Sequence, residues 1–134
     1  FIATLNEGFE YTGIDPLDTA LEDRFHIIHL DYLPPEQEGL LILLRTGLVK
    51  ESVTKLLQFV NKLRTDGQDP IHVSTRRVLM MAELVVTGLD LQQAIIANVA
   101  LDRDKLESIL LHFDFSGQGV ARTNGAKEDK FVLL

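Results

Sequence analysis

The chain contains no cysteine. That removes disulfides, zinc–thiolate sites and thiol catalysis at once, and it fits a protein of the reducing cytoplasm. No apolar run reaches the roughly 18 residues that a membrane-spanning helix needs, so no membrane partner is expected. A basic excess is also missing. Thirteen Lys and Arg face 20 Asp and Glu, for a net charge of −7, which argues against a general nucleic-acid binder. Local basic pairs can still contact phosphates. No internal repeat and no signal peptide is visible; the sequence opens at Phe1 within an apolar run rather than at a methionine, and a natural N-terminus ahead of it would hide a signal peptide. What is present is an ordinary soluble composition of 46% apolar and 25% charged residues. A length of 134 residues suits one domain with a sizeable core.

Local signals divide the chain. Phe1–Leu5 is a short apolar run that ends at Asn6 and reads as a buried strand. A Gly-containing loop follows. Asp15-Pro16 starts a helix, with Asp as N-cap and Pro in the first turn, running to about Asp23. Phe25–Leu30, FHIIHL, reads as a second strand. Pro34-Pro35 stops it and opens a helix over Pro35–Arg45, where Glu36 and Glu38 suit the N-terminal dipole. Lys50–Arg64 carries Val53, Leu56, Leu57, Val60 and Leu63 on one helical stripe. Thr65–Val73 is a polar loop. Ser74 caps a further helix that Gly88 ends; Asp90 caps Leu91–Val99 and Asp102 caps Arg103–His112. After Phe115 the Gly-rich segment SGQGVARTNGAKEDK reads as a mobile tail. The expected organisation is mostly α with a small α/β part: strand–helix–strand over 1–34, a helical domain over 35–113, and a tail over 114–134.

Few residues stand out chemically. Asn6 ends a strand, the position at which buried strands of α/β sheets deliver polar groups to ligands, although a turn residue fits the same spacing better. Arg24 lies between a helix end and a strand start. The helix dipole favours a cation there, and a guanidinium there can also stabilise charge in phosphoryl transfer. Arg76 and Arg77 occupy the first turn of the Ser74 helix, where the dipole disfavours cations. They need another reason, such as a bound anion or an acidic partner, unless they simply face solvent. His26 and His29 alternate across a strand and cannot form a metal pair. Asp18 and Glu22 share a helix face and read as a solvated acidic pair. GVARTNGAK is not a phosphate-binding loop. Its glycine spacing is wrong and no Ser or Thr follows Lys127.

Taken together, ATLNEG, LDTALEDRF, LDYLPPEQE and STRRVLMMAELVVTGLDLQQAI resemble, in order, successive segments in the second half of an AAA+ ATPase. More narrowly they resemble the CbbQ/NirQ/NorQ branch of the MoxR group. The resemblance covers most of Ala3–Val99. It implies that Asn6 is sensor 1, orienting the attacking water, and that Arg24 is an arginine finger acting in trans on the neighbouring subunit's site. It implies that Arg76 is sensor 2, reading the γ-phosphate from a helical lid. It further implies ATP and Mg²⁺ as cofactors and a hexameric ring that remodels or activates a partner protein or metalloenzyme. A von Willebrand factor A-domain protein is a common partner in this group, and branch relatives act on Rubisco, nitric oxide reductase or nitrite reductase.

The Walker A loop, its lysine and the Walker B acid of that family are missing from these 134 residues. This chain alone is therefore expected neither to bind ATP strongly nor to hydrolyse it. In the family's sheet a further strand separates the two that resemble Phe1–Leu5 and Phe25–Leu30. Without it their backbone edges are unpaired, which predicts a strand-exchanged dimer or disorder of the first thirty or so residues. A reading from a different class is a non-catalytic helical interaction or adaptor module that keeps the lid alone. The purified 134-residue chain is expected to show no steady ATP turnover; sustained phosphate release in a coupled assay would overturn that.

Overall fold

The structure is a computed structural model that describes residues 2–4, 20, 23–67 and 70–116. The chain divides into two units, Phe1–Asp31 and Tyr32–Leu134. Among the described residues, five helices make up the second unit: α1 Pro35–Thr46, α2 Lys50–Arg64, α3 Thr75–Val86, α4 Leu91–Asn98 and α5 Arg103–Leu111. None of them is long and apolar enough to cross a membrane.

Local chemistry explains where each helix begins and ends. Pro35 sits in the first turn of α1, and Gly47 ends it in the left-handed region at φ 67°, its N–H donating to the Leu43 carbonyl. Ser74 accepts from Arg77 N–H at the start of α3. Asp90 accepts from Gln93 N–H at the start of α4, and Asp102 accepts from Asp104 and Lys105 N–H at the start of α5. Each cap satisfies donors that the first helical turn leaves without partners. After α3, Gly88 adopts φ 115° and the chain reverses, with Leu89 N–H donating to the Leu84 carbonyl.

The apolar stripe of α2 is the spine of the core. Val53, Leu56, Leu57, Phe59, Val60 and Leu63 are all buried. Helix α1 packs on α2 and α3, α3 packs along α4, and α4 meets α5. Val78, Met81, Ala82 and Val85 of α3 and Leu91, Ala94 and Ile95 of α4 complete the interior. Beyond α5, Phe113 and Phe115 close on Phe59, with ring centroids 5.2 and 5.7 Å from it. Lys55 Nζ donates to the Asp114 carbonyl at 3.1 Å. The Asp114 carboxylate accepts from Ser116 N–H. Hydrogen bonding from the Ser116 side chain, then from its backbone N–H, helped by Lys55, holds its pKa below the usual carboxylate value.

The α/β part of the expectation needs correction over Phe25–Leu30. These residues form no strand, and Ile28 and Leu30 are 80% and 89% exposed. A strand is defined by its ladder, and no second strand exists among the described residues to supply one. Residues 2–4 of the other expected strand also carry no strand assignment. Its ends, nearly all of the helix expected from Asp15 and the tail from residue 117 lie outside the described residues.

One polar group sits at the heart of this apolar packing. Glu38, the fourth residue of α1, has no solvent-exposed surface and pairs with Arg64 of α2, which is 5% exposed. Removing one partner of such a pair strands a buried charge. Arg64→Met is expected to lower unfolding free energy by about 3–5 kcal/mol. Glu38→Leu combined with Arg64→Met should unfold at higher urea concentration than Arg64→Met alone, as followed by circular dichroism.

Candidate functional site

The first turn of α3 is where the sequence placed two cations against the helix dipole, and the structure separates them. Arg77 turns toward α4. Its Nη1 donates to the Asn98 carbonyl at 2.6 Å. Asn98 is the last residue of α4, so Arg77 sits at a helix C-terminus, where the dipole favours a cation. Asn98 is itself held by a bond from its Nδ2 to the Ala94 carbonyl at 2.9 Å. Arg77 is therefore accounted for by packing between α3 and α4.

Arg76 is different. Both arginines are exposed, but the Arg76 side chain makes no hydrogen bond or ion pair with another described residue. Met80, one turn further along α3, is 48% exposed and continues the same face at i+4 spacing. A free guanidinium at a helix N-terminus offers a planar fork of donors, and the backbone N–H groups behind it also favour an anion. This end of α3 therefore suits an anion by charge and donor type. No group of three or more His, Asp or Glu side chains that could hold a metal exists among the described residues. No magnesium ligand is assigned to them.

The backbone that carries Arg76 is fixed from behind. Arg64 donates through Nε and Nη2 to the Val73 carbonyl at 2.9 and 2.7 Å. The same guanidinium holds Glu38 with two parallel bonds of 2.8 and 2.9 Å and reaches Asn61 Oδ1 at 3.3 Å. An arginine has five N–H donors, and these five bonds use them all. Tyr32 stacks on the group, its ring centroid 4.0 Å from the Arg64 Cζ atom, and its hydroxyl bonds to His72 Nδ1. Ile71 N–H donates to the Leu63 carbonyl at 2.9 Å. The loop entering α3 is thus pinned to the end of α2 at both Ile71 and Val73.

Of the other expected site residues, Arg24 is exposed and belongs to the first unit. Asn6 lies outside the described residues. Sequence reasoning missed the roles of Glu38 and Arg64. Each suited its own helix end by dipole, and a separation of 26 residues gave no local sign that they meet.

The two arginines of α3 should respond differently to truncation. Arg76→Ala is expected to change unfolding free energy by no more than about 0.5 kcal/mol, as for a free surface residue. Arg77→Ala should lower it by about 1–2 kcal/mol through loss of a charge-assisted bond at a helix end. Urea titrations of the two variants would check both.

Comparison with known proteins agrees with this helical unit. The CbbQ/NirQ/NorQ C-terminal family matches residues 38–105, which is half of the chain and runs from within α1 into α5. "Putative chaperone BssE" of Thauera aromatica is 40% identical over 111 residues, covering 83% of this chain and 39% of that protein. The gas vesicle ATPase GvpN of Ancylobacter aquaticus is 32% identical over 110 residues, covering 81% of this chain and 30% of that protein. The chain thus spans only 39% and 30% of the length of these two relatives. With the family match lying on the helices that carry Glu38, Arg64 and Arg76, the chain belongs to the CbbQ/NirQ/NorQ C-terminal family of the MoxR-group AAA+ ATPases.

Proposed function

We propose that the chain serves an AAA+ machine of the MoxR group that couples ATP hydrolysis to remodelling or activating a partner protein or metalloenzyme. In this reading residues 35–113 are the helical lid over a nucleotide site, 1–34 belong to the α/β core, and 114–134 are a tail. One observation carries the reading: the two adjacent, exposed arginines of α3 diverge, Arg77 anchoring to α4 while Arg76 has no side-chain partner among the described residues. A lid that reads a nucleotide needs a cation held in place by its backbone and free at its tip.

Arg76 acts as sensor 2, setting a guanidinium against the γ-phosphate. Asn6 acts as sensor 1 and orients water by its amide. Arg24 acts in trans, from one subunit onto the site of the next, so the working form is a homo-oligomeric ring, a hexamer in this family. ATP with Mg²⁺, when bound, supplies the phosphoryl group whose hydrolysis drives the change of shape. A von Willebrand factor A-domain protein is the partner class that fits, in the cytoplasm. Support comes from the family match and from the relatives named as chaperone and ATPase.

In a full-length assembled protein, Arg76→Ala should raise the KM for ATP about tenfold, equivalent to about 1.4 kcal/mol. Arg24→Ala should lower kcat by about a thousandfold, the lower edge of what arginine fingers contribute. A steady-state phosphate-release assay checks both. Unchanged hydrolysis in Arg24→Ala would reject the finger.

A further inference from the structure

We infer that Arg64 is the positioning residue of the nucleotide-reading arginine: it fixes the start of α3, and therefore the place of Arg76, from the far end of α2. The inference rests on the reading of Arg76 as a phosphate contact.

The path is continuous and short. Two N–H groups of Arg64 converge on the Val73 carbonyl at 2.9 and 2.7 Å. The next residue, Ser74, is the α3 N-cap, and Val78 N–H closes the first turn onto its carbonyl at 3.1 Å. Arg76 lies within that turn. A shift of the Val73 carbonyl therefore moves the turn that carries Arg76.

Arg64 cannot itself drift. Glu38 holds it bidentately from α1, Asn61 holds it from α2, and the Tyr32 ring covers one face. Tyr32 is the first residue of the second unit. The point at which the chain enters the helical unit and the point at which α3 begins thus converge on one guanidinium. Purely structural burial of a charge requires only that the pair satisfy itself. Here two of the five donor bonds are spent instead on the one carbonyl that precedes the α3 cap.

Lysine keeps the charge but not the fork. Three donors on a single nitrogen cannot hold Glu38 at both oxygens and Val73 together. The test uses the full-length assembled protein, with ATP as the probe. Arg64→Lys is expected to raise the KM for ATP about fivefold, with kcat changed less than KM. Added to Arg76→Ala, it should raise KM no further, because it acts through Arg76. Phe59→Leu, a core change elsewhere on α2, controls for destabilisation and should leave KM within about twofold. Tyr32→Leu keeps the ion pair but removes the stacking on Arg64 and the hydroxyl bond to His72, and is expected to raise KM about two- to threefold. It serves in place of Arg64→Lys if that variant fails to assemble.

An unchanged KM in Arg64→Lys, or in Tyr32→Leu where it is used, overturns the positioning role while a raised KM in Arg76→Ala leaves the Arg76 reading standing. So does an equal rise in Phe59→Leu, or a full additional rise in the double variant. An unchanged KM in Arg76→Ala removes the reading itself and the inference with it.

Discussion

A carboxylate with no exposed surface in an apolar bundle is tenable only because an arginine meets it with two parallel bonds. Desolvating two charges is expensive, and their attraction compensates only when the geometry is good and the remaining donors are also satisfied. Glu38 and Arg64 meet both conditions. No buried side-chain nitrogen or oxygen among the described residues lacks a partner. The pair joins the start of α1 to the end of α2, and its spare donors reach the carbonyl that precedes α3. Three helices take their relative placement partly from one contact. Leucines in these positions would pack, but they would not dictate where the loop of residues 65–74 returns. Here the buried pair specifies position, a role distinct from adding net stability.

The consequence appears at the α3 N-terminus. Two neighbouring arginines have the same local environment in sequence and opposite fates in space. Arg77 completes the end of α4, turning an unfavourable dipole contact with its own helix into a favourable one with the next. Arg76 gains nothing of this kind from the described residues. A basic residue whose packing is explained needs no ligand. One without a side-chain partner among the described residues, on a backbone fixed from behind, keeps its donors available, and on the proposed reading they meet an anion. The functional reading of the chain rests on that contrast and on the family to which the helices belong.

The helices were legible because their signals are short-range. Lys50–Arg64 has the bounds that its apolar stripe suggests. Ser74, Asp90 and Asp102 each accept bonds from N–H groups only two or three residues away, so the relevant chemistry can be read from a few letters. Phe25–Leu30 shows the opposite case. Its composition suits a strand, but composition cannot supply the neighbouring backbone that a strand requires. Family resemblance singled out Arg76 among the basic residues; the helix dipole alone marked Arg76 and Arg77 as equally odd.

What the sequence by itself determined was therefore local: where the five described helices start, that the chain leaves α3 at Gly88, and which faces are apolar. What only the tertiary structure decided was pairing at a distance. Glu38 meets Arg64 across 26 residues and Arg77 meets Asn98 across 21. Caps and periodicity act within one or two turns of the chain, so adjacent letters encode them. Whether a charged side chain is buried with a partner, anchored to another helix or left free depends on which surfaces come together once the helices pack.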